Sequence, residues 1–207
     1  MTLAVFCHPT KPHVRRHGPC GYNPYGGFKP WLRDEFCFRC VYCLERERWY
    51  PDRAASFSAD HVIPQCEAPD RICDYTNLVY ACTRCNSIRR HLKFIDPTEQ
   101  ALGKHIRLES DALFVGLTPE GQDVIDNLRL NKSPSLQVRR NALHVLALFA
   151  SQPENAQVRN LYFDVFGFPE ELPDLSGLKP PNGNTLPDGV NTCFFVRKKV
   201  GTLPDVY

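Results

Sequence analysis

Apolar residues recur at helical spacing in the second half of the chain. Behind Thr118-Pro119, which pairs an N-cap threonine with proline at the first helical position, Val124, Ile125 and Leu128 form a stripe. Ser133-Pro134 repeats the device ahead of Leu136, Leu143, Leu146, Ala147 and Ala150. A third helix is predicted over 153–166, with Val158, Leu161, Tyr162, Val165 and Phe166 on one face and Gly167 and Pro169 as its stop. Ahead of these helices, residues 103–116 read as a β-hairpin turning near Ser110, with Ile106 and Leu108 against Leu113 and Val115.

The first half is less periodic. Pro9, Pro12, Pro19, Pro24 and Pro30 forbid one continuous element, so residues 1–29 are expected to form an irregular arm lying on the core. A short helix is predicted over 30–36, with proline at its start. Residues 46–50 and 57–64 read as the strands of a hairpin, with irregular backbone around His61 and a break beyond Pro64. Residues 65–76 are a polar loop, and a helix follows over 86–93. Proline, glycine and asparagine mark 172–189 as a linker, and 191–200 as either a final strand or a segment that docks a partner. The pattern divides the chain into an arm (1–29), a core (30–97), a hairpin-plus-helix region (98–168) and a linker with tail (169–207), an α+β arrangement.

Composition is that of a folded protein, with 43% hydrophobic and 23% charged residues. No apolar run approaches the ~20 residues that span a bilayer. The first residues lack the charged and apolar regions of a signal peptide, so the cytoplasm is the expected compartment. Net charge is +2, which excludes a polycation; the basic residues gather locally, at 11–16, 84–93, 139–140 and 197–199.

The ten cysteines change the picture. Cys40 and Cys43 form one C-x-x-C, and Cys82 and Cys85 another. Each holds two thiolates on a tight turn, and together they suit a closed tetrahedral zinc site. Cys37 makes the first region C-x-x-C-x-x-C, so one of its three cysteines is surplus to four ligands; Cys37 is read as a packed thiol. Cys66 and Cys73 are read as buried or idle thiols, and no tight paired spacing joins Cys7 and Cys20 to His8 or His17. The zinc is then a clamp, and the polar residues between the pairs form the working site.

The order C-x-x-C, Asp60-His61-x-x-Pro64, Asn77-Leu78, then C-x-x-C-Asn86 with Arg89 and Arg90 after it resembles the HNH endonucleases of ββα-metal type, in their zinc-stapled form. The resemblance implies a ββα-metal core and hydrolysis of DNA phosphodiester bonds. His61 is the natural general base, since neutral imidazole accepts a proton near neutral pH. The family pattern assigns the orientation of its ring to an oxygen of Asn77. Asp60 and Asn86 would hold a divalent cation, Mg²⁺ or Mn²⁺. Many family members carry histidine where this chain has Asn86, which suits a hard cation better than a transition metal. Arg89, Arg90 and Lys93 fall with Asn86 on one face of the expected helix, as phosphate contacts. A stand-alone nuclease of this size also resembles effectors of bacterial anti-phage or restriction systems paired with an ATPase or sensor protein. The competing expectation is a catalytically inactive zinc-stapled module that binds nucleic acid or protein.

Overall fold

In the computed structural model, which describes residues 4–207, the centre is a two-stranded antiparallel sheet followed at once by a helix. Strand β1 (Phe57–His61) pairs with β2 (Leu78–Cys82), with Phe57 opposite Cys82 and His61 opposite Leu78. Every residue of β2 is buried, as its apolar Leu-Val-Tyr-Ala-Cys sequence requires. The ring of Phe57 stacks on that of Tyr80, at 5.2 Å between centroids, and sets the register from one end. Helix α2 (Thr83–Arg89) starts directly behind β2, with Cys82 as its N-cap.

The partner of β1 is β2, not residues 46–50. Those residues hold a 3₁₀ turn, Glu47–Trp49, pinned elsewhere: the Trp49 indole donates to the Val165 carbonyl at 2.8 Å and Arg46 to that of Phe166 at 3.1 Å. Helix α2 also begins and ends earlier than expected. Arg90 takes a φ of 51° and stops it, so Asn86 and Arg89 lie on the helix while Arg90 and Lys93 lie past its end. β1 stays regular through His61 and ends there, three residues short of the expected limit.

The flanking elements follow local signals. Helix α1 (Lys29–Glu35) carries Pro30 in its first turn. Strands β3 (Ile106–Leu108) and β4 (Phe114–Gly116) form the expected hairpin. Ala112, at φ 71°, shifts its phase, so that Phe114 faces the core and Val115 the solvent. Thr118 caps α3 (Pro119–Asn127) by accepting from the Gly121 amide at 3.2 Å. Helix α4 (Ser135–Ser151) packs on α5 (Ala156–Phe166), which starts three residues later than expected, with Asn155 as its cap. None of the described helices is long and apolar enough to cross a membrane.

The tail is helical, not a strand: α6 (Asp188–Asn191) and α7 (Phe194–Lys199). Its apolar residues are used within the chain. Phe194 joins Phe38, Phe168 and Leu172 in a small second core, and its amide donates to Asp34 at 2.7 Å. The N-terminal arm is irregular and strapped to α1, as Glu35 accepts from the amides of Arg16 and His17 and from the His13 ring.

Candidate zinc clamp and the His61 face

The two cysteine pairs meet at the start of α2. The first sits on a tight turn in which the Leu44 amide donates to the Cys40 carbonyl at 3.0 Å, with Leu44 at φ 60°. The second spans the end of β2 and the first turn of α2. The Sγ atoms of Cys40, Cys43, Cys82 and Cys85 all lie within 4.8 Å of one another, and all four residues are buried. Cys43 and Cys82 are 3.8 Å apart at sulfur. Four ligands at ~2.3 Å around a tetrahedral zinc ion stand ~3.8 Å from one another, so the spacing fits that ion. The electrostatics agree. Hydrogen bonds from the other three thiols draw the Cys82 thiol far down, while burial pushes the Cys43 thiol well up. Packed this closely, the four sulfurs need a cation before all can ionise. Among the described residues no other cysteine joins the cluster, Cys37 included.

β1 and α2 place the remaining residues. His61 is 5% exposed. Its Nε2 lies 2.9 Å from the Ile72 carbonyl. A carbonyl only accepts, so Nε2 carries the proton and Nδ1 is left as the acceptor. The Gln65 amide nitrogen donates to Nδ1 at 3.2 Å, and the Tyr25 ring stands edge-on to the imidazole at 4.7 Å. The ring is therefore oriented by Ile72 and not by Asn77. Asn77 closes the loop that carries Ile72: its Oδ1 accepts from the Ile63 amide at 2.8 Å, and its Nδ2 donates to the carbonyls of Ile63 and Arg71.

Asp60 is 4% exposed and doubly engaged. Arg89 donates to its Oδ1 at 2.9 Å and the Tyr42 hydroxyl to its Oδ2 at 2.9 Å. Burial raises its carboxyl above the ordinary range, against the pull of Arg89 and Tyr42. Each oxygen keeps a second lone pair. The Asn86 amide nitrogen donates to Ser58 Oγ at 2.8 Å, which leaves its carbonyl oxygen as a second hard donor. These two oxygens fit the donor chemistry of a hydrated divalent cation, although the Arg89 charge makes the site a weak one.

Arg89 itself faces inward. It is 1% exposed and also donates to the carbonyls of His61 and Val62. A phosphate contact by Arg89 does not fit this position; it is the brace behind Asp60. Arg90 is exposed, and Lys93 is exposed and paired with Glu67. Tyr42, Gln65 and the Ile72 carbonyl were not singled out from the sequence. Gln65 stands four residues beyond His61, and Tyr42 lies inside the first C-x-x-C, but a backbone carbonyl leaves no mark in a sequence.

No curated protein matches the chain. A family model described as HNH endonuclease matches residues 40–91, a segment that holds both cysteine pairs, β1, β2 and α2. Over that segment, about a quarter of its length, this chain is similar to the HNH endonucleases.

Proposed function

We propose that the chain is a metal-dependent endonuclease that hydrolyses phosphodiester bonds in DNA, with His61 as general base. One observation carries the reading. The Ile72 carbonyl holds His61 Nε2–H, so the ring presents Nδ1 as its only proton acceptor. A water within reach of Nδ1, once Gln65 has moved off it, gives its proton to the imidazole as it attacks phosphorus. The Ile72 carbonyl meanwhile keeps the ring in place and favours the imidazolium that forms. Asp60 and Asn86 would hold Mg²⁺ or Mn²⁺, which as a Lewis acid relieves charge on the phosphate and on the departing 3′-oxygen. Arg90 and Lys93, exposed past the end of α2, supply phosphate contacts. Zinc, closed off by four cysteines, braces the site and takes no part in the chemistry.

A second reading is favoured by the Asp60–Arg89 pair. An aspartate would be unwelcome in a purely phosphate-binding module, but here Arg89 neutralises it, so a zinc-stapled binding module without catalysis is also consistent with the geometry. Supercoiled plasmid separates the two. The nuclease reading expects nicking by wild type with Mg²⁺ or Mn²⁺, none with EDTA, and none by His61→Ala that still holds zinc. Plasmid binding without nicking by the zinc-loaded wild type supports the binding module. The resemblance to anti-phage and restriction effectors supports a further proposal: an ATPase or sensor protein as partner controls when cleavage occurs.

A further inference from the structure

The turn that follows β1 touches two of the groups that cleavage would need. It closes on itself, as the amides of Glu67 and Ala68 both donate to the Pro64 carbonyl, at 2.9 and 3.1 Å. Gln65 and Glu67 are exposed on this turn, and Ala68 is buried. The Gln65 amide nitrogen donates to His61 Nδ1 at 3.2 Å. Glu67 pairs with Lys93, which lies past the end of α2. One short turn thus occupies both the lone pair of the proposed base and a cation proposed to meet phosphate.

Both contacts are of a kind that yields. The Ile72 carbonyl holds Nε2–H, so Nδ1 is the one ring nitrogen that can take a proton, and Gln65 covers it. Gln65 is exposed although His61 is not, so solvent lies beyond the amide. The Glu67 and Lys93 side chains are 37% and 69% exposed, and salt screens such a pair. A neutral hydrogen bond or an exposed ion pair each holds a two-state equilibrium by roughly two- to tenfold. A nucleic-acid strand offers many phosphate oxygens that compete with Glu67 for Lys93, and its charge repels the Glu67 carboxylate.

We propose that the turn from Pro64 to Ala68 is a self-masking cap that nucleic-acid phosphate opens. In the free protein Gln65 fills the place of the attacking water and Glu67 latches the turn to Lys93. Phosphate takes Lys93, the latch releases, and Gln65 leaves Nδ1 to water. The inference rests on the nuclease reading of His61. Binding energy spent on opening the cap raises KM by the inverse of the open fraction and leaves kcat, measured with the cap already open, unchanged.

Carbethoxylation by diethyl pyrocarbonate reads the mask without any cleavage, because the reagent attacks an imidazole lone pair. The zinc-loaded full chain is treated near neutral pH in low salt without DNA. The rate at His61 is followed by peptide mass spectrometry against that at His144, exposed on α4. Gln65→Ala should speed modification of His61 about three- to tenfold. Lys93→Gln leaves Gln65 intact and breaks only the latch, and should speed it about twofold. Both side chains are exposed, so folding is not at stake. In plasmid nicking with Mg²⁺, Gln65→Ala should lower KM about three- to tenfold at unchanged kcat. An unchanged rate at His61 in either variant overturns the proposal, as does an unchanged KM, or a lowered kcat, in Gln65→Ala. Wild type that fails to nick sinks the nuclease reading instead, while the rates at His61 still decide whether the turn masks that ring.

Discussion

Arg89→Met separates a structural arginine from a phosphate clamp. The substitution keeps most of the apolar stem and removes the guanidinium. Three hydrogen bonds go with it: to Asp60 Oδ1 at 2.9 Å and to the carbonyls of His61 and Val62. Asp60, 4% exposed, is then left with the Tyr42 hydroxyl as its remaining hydrogen bond. Breaking a buried ion pair from one side costs roughly 3–5 kcal/mol, because the surviving charge stays buried. At 2–4 °C per kcal/mol for a chain of this size, the midpoint should fall by roughly 10 °C. Thermal and urea denaturation at pH 7, followed by far-UV circular dichroism on zinc-loaded protein, measure the midpoint and the free-energy loss. The Asp60→Asn, Arg89→Met double variant should recover part of it, with a coupling of about 1–3 kcal/mol. The pH dependence gives an independent sign. The Asp60 carboxyl is already raised by burial, and loss of Arg89 raises it further. The native state then binds more protons than the unfolded state at pH values above the ordinary aspartate range. Stability of the variant therefore falls as pH rises through the shifted value, and its deficit shrinks toward acid pH. A clamp on phosphate predicts the opposite pattern. If Arg89→Met unfolds within about 1 kcal/mol of wild type but binds plasmid more weakly with a shallower salt dependence, the brace assignment is refuted.

Two further outcomes follow from the same geometry. Removing zinc with a chelator should unfold the β1–β2–α2 core rather than merely stop cleavage, since the clamp joins the residue-40 turn to β2 and α2; retention of near-UV dichroism in the metal-free protein would count against it. Glu35 should make the protein acid-sensitive. Burial alone would raise its carboxyl, but the bonds from His13 and the Arg16 amide outweigh it and bring it down to about 2. A depressed carboxyl stabilises the fold above the ordinary value of 4.5, and that contribution, roughly 3 kcal/mol at most, is lost as pH falls from 4.5 through 2. Glu35→Gln should flatten the slope in that window, and an unchanged acid limb would remove the arm-to-α1 strap from the account.

What the sequence determined by itself is local or chemically distinctive. Two C-x-x-C turns can bring four thiols together almost regardless of the rest of the chain, and the thiols do meet. Thr118-Pro119 marks a helix start because cap and proline act within one turn. The proline at residue 30 and the hairpin at 106–116 are signals of the same kind. Only the tertiary structure decided the rest. β1 chose β2 over the nearer residues 46–50, because Arg46 and Trp49 are drawn to carbonyls on α5, more than a hundred residues away in the chain. Arg89 reads as a surface cation on a helical wheel, yet it turns inward to satisfy a buried carboxylate. The tail reads equally as strand or docking segment, and becomes a helix because Phe38 and Phe168 offer Phe194 a place to bury. The carbonyl that orients His61 belongs to Ile72, a residue whose side chain gives no hint of the role. Spacing and capping act over a few residues and are written in side-chain identity. Pairing, burial of charge and backbone acceptors depend on which distant segment arrives, and that is settled by packing the whole chain at once.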